Sequence, residues 1–148
     1  MSREGTLRYL KDMAGMREQD LRRSLLAQQQ LVQQLRGKYA LLEDYVQQYR
    51  QESAAREGAG IAGTEAIRWR AFVQQLAALL VQQDELIREQ EQRLRLVREQ
   101  WQAIKAKEQG FSRLLQRLDD QRQLAELQKM QKEMDSWALR ATQLRSSR

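Results

Sequence analysis

The chain has 148 residues, of which 41% are hydrophobic, and it carries 26 Lys and Arg against 20 Asp and Glu, with no Pro, Cys or His. The missing Cys and His exclude a disulfide framework, a thiolate nucleophile and the usual structural zinc sites, and they remove the commonest general base. The small number of turn-forming residues predicts long exposed helices. No apolar run approaches the ~20 residues that a bilayer span needs. We therefore expect a soluble, cytoplasmic chain that is not an enzyme and holds no cofactor.

The first predicted element is a helix over about residues 6–57 that carries a coiled-coil stripe. Its apolar residues recur at alternating steps of four and three, with Gln28 as the polar exception. This spacing keeps the side chains on one helical face and predicts a seam against a second helix. The predicted seam consists of Leu21, Leu25, Gln28, Val32, Leu35, Tyr39, Leu42, Val46 and Tyr49, preceded by Leu7, Leu10 and Ala14.

A glycine-rich loop over residues 58–63 follows the first helix. It holds three of the seven glycines of the chain. Gly58 is predicted to end the first helix in the left-handed conformation, and Thr64 is predicted to cap the next helix. The loop therefore marks the place where the chain reverses.

The second predicted helix covers about residues 64–145 and presents different faces along its length. Its upstream stretch contains two successive steps of four, which predict a stutter that locally unwinds the supercoil. The upstream stretch is Trp69, Phe72, Leu76, Leu79, Gln83 and Ile87; the middle stretch is Leu94, Val97, Trp101, Ile104, Glu108, Phe111, Leu115 and Leu118; the C-terminal stretch is Leu127, Met130, Met134, Trp137, Ala141 and Leu144.

Two helices joined by so short a loop must lie antiparallel. The predicted fold is all-α, a single domain over residues 1–148 that forms a long two-stranded antiparallel coiled coil. Pairing about the loop places Tyr49 near Phe72 and Leu7 near Leu114. The second helix is longer than the first, so about 30 residues at its C-terminal end should overhang.

Charge is distributed unevenly over this predicted hairpin. Residues 41–100 hold eight basic and ten acidic side chains, a net −2, whereas residues 1–40 and 101–148 together hold 18 basic and ten acidic ones, a net +8. The open end is thus a basic surface suited to an acidic protein cavity or to a nucleic-acid backbone. Acidic residues are interleaved with the basic ones and no known nucleic-acid module is present, so nucleic acid is the less favoured partner.

Two apolar sets exceed what a narrow hairpin can bury. Near the loop we expect part of the aromatic set to form an exposed partner site, although core and surface remain equally open for each residue. In the overhang, a stripe rich in Met and ending in Trp137 suits a partner groove, with packing onto a second copy as the alternative. The aromatic set near the loop is Tyr39, Tyr45, Tyr49, Trp69 and Phe72, followed by the run 76–81.

These residues resemble the FliJ family of flagellar type III export proteins over essentially the whole chain. The resemblance is carried by Gly60-Ile61, by the residues Trp69, Phe72, Leu76 and Gln82-Gln83, and by the run 131–140, which reads QKEMDSWALR. It implies a stalk-like antiparallel coiled coil similar to the central shaft of rotary ATPases. The alternatives are the corresponding stalk of a virulence secretion system and a homo-oligomeric coiled-coil scaffold.

The resemblance also implies partners and their sites. The implied partners are the hexameric export ATPase FliI, the membrane export-gate protein FlhA and export chaperones, with no nucleic acid and with peripheral association at the cytoplasmic face of the inner membrane. Flagellum assembly is expected to require the protein. The implied gate-binding patch is Leu42, Tyr45, Tyr49, Phe72 and Leu76, with Lys38, Leu79 and Gln83 at neighbouring positions; the implied ATPase-binding end is Arg17, Leu21, Lys129, Met130, Met134, Trp137 and Arg140.

Overall fold

The computed structural model describes residues 2–60 and 63–147, and within these ranges it contains two helices and no strand. Helix α1 covers Arg3–Gly58 and helix α2 covers Gly63–Ser146. Gln28 of α1 binds Gln90 of α2, whereas Tyr49, further along α1, contacts Trp69, which comes earlier in α2. The two helices therefore run in opposite directions. The predicted all-α antiparallel hairpin is therefore confirmed.

The contacts divide the chain into two compact units. Unit 1 is formed by Met1–Glu18 and Ala103–Arg148, and unit 2 by Gln19–Gln102. Each unit contains one stretch of α1 packed against one stretch of α2. No helix, over the described residues, has an apolar window long enough to cross a bilayer.

The turn between the helices differs in detail from the prediction. Gly58 is the last residue of α1, and the left-handed conformation is adopted instead by Gly60, whose φ is 83°. Thr64 lies inside α2, which begins at Gly63, so Thr64 is not the cap. The backbone N–H of Ala59 still donates to the α1 carbonyls, which carries the helical hydrogen bonds one residue further than predicted. Ile61 and Ala62 of the predicted loop lie outside the described residues.

The seam of α1 follows the predicted heptad spacing, and every residue predicted from Leu21 to Tyr49 is buried or half-buried. One residue of its N-terminal extension was predicted wrongly. Leu10 is exposed, and Lys11 takes the seam position. The seam residues recur at alternating steps of three and four residues. Counted back from Leu21, these steps reach Glu18, Ala14, Lys11, Leu7 and Glu4, and they pass over Leu10.

The seam of α2 is continuous, and the predicted stutter is wrong. The seam takes Val73 and Leu80, while Phe72 and Leu79 lie one position away and are exposed. The prediction took Phe72 instead of the smaller Val73, it took Leu79 where Leu80 is equally apolar, and it omitted a polar residue, Gln90, which is buried. The half-buried and buried seam residues of α2 are Ala66, Trp69, Val73, Leu76, Leu80, Gln83, Ile87, Gln90, Leu94, Val97, Trp101, Ile104, Glu108, Phe111, Leu115 and Leu118.

A pair of hydrogen-bonded amides lies in the seam of unit 2, where Gln90 is buried and Gln28 is half-buried. The Nε2 atom of Gln28 donates to Oε1 of Gln90 at 2.8 Å and to the Gln90 backbone carbonyl at 3.0 Å. A slip of either helix would separate the two amides and leave the buried Gln90 amide without its partner, which costs about 1–3 kcal/mol. The pair thus favours a single register of the two helices, as single polar residues do in other coiled coils.

The C-terminal part of α2 carries its apolar stripe on a separate face. Among residues 121–147 only Ala141 is even half-buried. The seam phase beyond Leu118 continues mainly through polar residues, among them Arg122, Lys129 and Lys132. Leu127 lies nine residues after Leu118, a rotation of about half a turn at ~100° per residue. The exposed stripe is therefore not an unfinished continuation of the seam.

Glu4 joins the beginning of α1 to α2, and this contact predicts a pH dependence. Its carboxylate accepts hydrogen bonds from Arg122 and from Arg8, and the bond with Arg122 is the main reason that the pKa of Glu4 is lowered from 4.5. A lowered folded-state pKa means that the contact stabilises the structure above pH ~4.5 and that this contribution is lost as the pH falls through the folded-state pKa. We expect an NMR titration of the Glu4 carboxyl to show a midpoint below 4.5.

The matched control for this titration is the variant Arg122→Gln. It removes the cation that chiefly lowers the pKa of Glu4, so the midpoint should rise. A midpoint that is the same in both proteins would contradict the assigned contact.

Candidate docking surfaces

Four aromatic rings form a cluster in unit 2 near the turn. The ring centroid of Tyr49 lies 4.6 Å from that of Tyr45, 5.4 Å from that of Trp69 and 5.1 Å from that of Phe72. These distances lie in the range in which aromatic pairs attract beyond their buried area. The guanidinium of Arg56 lies 4.5 Å from the centroid of the Trp69 ring, as in a cation–π contact. Tyr49 is therefore the centre of a cluster that joins α1 to α2.

The hydroxyl groups of Tyr45 and Tyr49 are linked at the edge of this cluster. Their oxygen atoms are 3.0 Å apart. This hydrogen bond, with a smaller contribution from burial, raises the pKa of Tyr49 above its ordinary value of 10.0. Both effects favour the neutral phenol. The ring of Tyr49 is thus uncharged at physiological pH.

The residues of the implied gate-binding patch fall into two groups in unit 2. Leu42, Tyr49 and Leu76 occupy the seam and are half-buried. Tyr45, Phe72 and Leu79 each precede a seam residue and remain 44%, 39% and 40% exposed. The expectation that part of the near-loop set stays exposed is confirmed. Lys38 is also exposed, whereas Gln83 is a half-buried seam residue.

An exposed apolar row extends beyond the residues that the sequence indicated. Leu31 and Leu86 are also exposed and also precede seam residues, and seven-residue steps connect them to Lys38 and Leu79. Sequence reasoning missed them because it searched for seam residues, although the seven-residue repeat was visible. We name this surface the apolar flank; it consists of Leu31, Lys38, Tyr45, Phe72, Leu79 and Leu86.

The other side of the same seam carries ion pairs. Arg36 binds Glu91, and Nε of Arg70 lies 2.6 Å from the Oε1 atom of Glu57. Arg36 and Glu91 each follow a seam residue, so they lie on the side opposite the apolar flank. Exposed pairs of this kind contribute about 0–1 kcal/mol each. Their main consequence is asymmetry, since one side of unit 2 is charged and the other is apolar.

The residues of the implied ATPase-binding end do not form one site. Met130, Met134 and Trp137 share an exposed stripe in unit 1, with Lys129 and Arg140 exposed in the same stretch. We name Leu127, Met130, Met134 and Trp137 the overhang stripe.

The other two residues of that end lie elsewhere. Arg17 is exposed, but it is close to Gly15, which faces Glu108. Glu108 and Met130 are 22 positions apart on α2, or roughly 33 Å at 1.5 Å per residue. Leu21 is 6% exposed in the seam of unit 2. Its side chain stabilises the hairpin and offers little surface to a partner.

The described residues contain no group of three His, Cys, Asp or Glu side chains that could hold a metal ion. The features that the two units do present are exposed apolar rows on rigid helices. Such rows are suited to protein partners.

Comparison with known proteins agrees with the resemblance seen in the sequence. A family model described as Flagellar FliJ protein matches residues 3–147. The chain is similar to the Flagellar FliJ protein of Escherichia coli strain K12, with 29% identity over 141 residues that cover 95% of this chain and 96% of that protein. It is also similar to the Flagellar FliJ protein of Salmonella typhi, with 30% identity over the same shares. No solved structure matches it.

Proposed function

We propose a non-catalytic docking role for this chain, which belongs to the flagellar FliJ protein family and is a component of flagellar protein export. In this role it binds the hexameric export ATPase FliI and the membrane export-gate protein FlhA, and it helps to transfer export chaperones. It acts at the cytoplasmic face of the inner membrane through these partners. The observation that carries the proposal is the pair of exposed apolar rows, the apolar flank and the overhang stripe.

The apolar flank is the proposed binding surface for FlhA. It combines exposed aromatic and leucine side chains with a rigid support, because Tyr45 and Phe72 both pack on Tyr49. Side chains that are already ordered lose little entropy on binding, and aromatic residues are frequent hot spots. The half-buried residues Leu42 and Leu76 form the floor beside them.

The overhang stripe is the proposed binding surface for FliI. Its methionines adapt to a groove of varied shape, and Trp137 provides a large anchor. Lys129 and Arg140 add positive charge in the same stretch, which suits an acidic cavity. Arg17 supplies a further contact at a separate place on unit 1.

Coupling between the two partners has a thermodynamic requirement. A protein that binds two partners changes their states only if its contacts differ between those states. The chain therefore acts by binding one conformation of FliI or FlhA more tightly than another. It forms and breaks no covalent bond in this mechanism.

The proposal is tested by genetic complementation. A strain of the source bacterium that lacks this gene should fail to swim and to secrete flagellar proteins, and the intact chain should restore both. A variant on the charged side of unit 2, Arg36→Ala with Glu91→Ala, should restore swimming and secretion equally well, since exposed ion pairs contribute little to stability. Normal export in the deletion strain would refute the proposal.

A further inference from the structure

A groove on unit 1 combines an apolar floor with basic edges. Six residues of α2 line it, and we name them the basic groove: Lys107, Gly110, Phe111, Arg113, Leu114 and Arg117. Arg3 and Leu7 of α1 continue the groove past Leu114 and Arg117. The groove belongs to neither the apolar flank nor the overhang stripe, so it does not depend on the proposed function.

The basic edges have no acidic partners within the described part of the chain. Arg3, Lys107, Arg113 and Arg117 are exposed, and none of them forms an ion pair there. The neighbouring carboxylate of Asp120 instead accepts a hydrogen bond from Gln116. Four cations without ion pairs line the groove and none of its lining residues is acidic, so the groove has a positive potential that attracts an acidic ligand.

Gly110 leaves the middle of the groove without a side chain. Gly is less favourable inside a helix than every residue except Pro. Gly110 does not have a positive φ, and a Cβ atom added to it would meet no atom within 4 Å. Nothing within the described residues therefore requires glycine at this position. Its missing side chain leaves space beside Phe111 and Leu114 for the close approach of another molecule.

We propose that the basic groove binds an acidic amphipathic helix of another protein. Apolar side chains of that helix contact Phe111 and Leu114, and its flanking Asp and Glu residues pair with Lys107, Arg113 and Arg117. This is the helix-in-groove mode of recognition, with charge complementarity that sets orientation and association rate.

Two other occupants fit the groove less well. A nucleic-acid strand would satisfy the cations with its phosphates but would leave the apolar floor largely unused. A second copy of this chain, docked symmetrically, would bring the same four cations face to face with their equivalents. Charge and apolar floor together favour the acidic helix.

The test uses the full chain and a synthetic helical peptide of 21 residues, labelled with fluorescein, with Leu at heptad spacing and Glu on both sides of the Leu stripe. We expect binding at micromolar concentration by fluorescence anisotropy in 150 mM salt. Arg113→Glu with Arg117→Glu should weaken it by more than roughly tenfold, because truncating or reversing interface charges has effects of that order. A peptide with Gln in place of Glu should also bind more weakly.

Gly110→Gln separates binding from folding. It places a long side chain in the groove while improving helix propensity, so the melting temperature should rise and peptide binding should fall. The matched control, Arg95→Glu with Arg98→Glu, makes the same charge change at exposed positions of unit 2 and should leave peptide binding intact.

Three results would overturn the proposal. Equal weakening by the Arg95 and Arg98 control would mean non-specific charge attraction. The groove would be assigned to nucleic acid if a 20-nucleotide single strand bound more tightly than the peptide and the Gly110→Gln variant no longer bound that strand. A dimer in sedimentation that Gly110→Gln dissociates would assign it to a second copy of the chain.

Discussion

Replacing Tyr45, Phe72 and Leu79 together by Ala is expected to weaken FlhA binding at least about a hundredfold without unfolding the protein. Hot-spot side chains contribute about 2 kcal/mol or more on truncation, and each 1.4 kcal/mol is a factor of ten in affinity. The three side chains lie outside the seam and are partly exposed. Phe72 also packs on Tyr49, so the variant loses that ring contact, but every seam residue that joins α1 to α2 remains. Calorimetric titration with the cytoplasmic part of FlhA measures the affinity, and circular dichroism measures the helix content.

A matched control exists within unit 2. Leu26, Val81 and Leu96 are more exposed than the three flank residues but lie on other faces. Their replacement by Ala removes similar apolar surface and should leave FlhA binding within about twofold, since contacts outside an interface contribute nothing to it. Equal loss of affinity in both triple variants would show that general hydrophobicity, and not the apolar flank, drives binding.

Tyr49 is unsuitable for the same experiment because its ring packs on three other rings. Truncating a well-packed aromatic residue costs about 3–5 kcal/mol when fully buried, and a half-buried one costs less. Loss of function in a Tyr49→Ala protein would therefore mix weaker binding with weaker folding. The structure thus divides the implied patch into exposed residues, which are accessible to a partner, and half-buried residues, which support them.

The sequence was sufficient to predict the two helices, the reversal near residue 60 and the seam of α1. These features depend on the spacing of apolar residues and on the lack of turn formers, both of which are local properties. The pairings of Tyr49 with Phe72 and of Leu7 with Leu114 followed from antiparallel geometry, and both pairs are found close together. Local patterns therefore predict this kind of fold well.

The phase of α2 could not be predicted because two apolar residues stand side by side at several steps. Phe72 and Val73 compete for one position, where hydrophobicity alone favours the larger Phe72. Leu79 and Leu80 compete for another, where hydrophobicity does not distinguish them. The position is decided by the long-range heptad phase, which requires that the polar Gln90 be buried. Its burial is acceptable only because Gln28 provides a partner, and no single helix reveals that pairing.

The same ambiguity decides which site residues are accessible. Phe72 and Leu79 form part of an exposed flank because Val73 and Leu80 occupy the seam. Leu21 is the opposite case: the resemblance implied that it contacts a partner, but its side chain is buried in the seam. A residue in the seam and its neighbour on the surface are one position apart, which is about 100° of rotation around the helix. An error of one residue in the predicted phase therefore assigns a surface residue to the core, or the reverse.

Replacing Met130, Met134 and Trp137 together by Gln is expected to abolish measurable FliI binding while leaving the melting temperature unchanged. Gln is a good helix former, and the three side chains are exposed and bury little surface within the chain. The proposed interface would lose its aromatic anchor and two adaptable apolar contacts, which are worth several kcal/mol together. Sedimentation velocity of the chain mixed with FliI measures binding, and ATP hydrolysis measures the effect on hexamer assembly.

The control for this variant lies in the same stretch of α2. Leu124 and Leu139 are also exposed, but at ~100° per residue they point away from the centre of the overhang stripe. Their replacement by Gln should leave FliI binding nearly unchanged. If the stripe variant still binds FliI, or if the unmodified chain is a dimer that the stripe variant dissociates, the stripe packs on another surface and the ATPase contact must be sought elsewhere on unit 1.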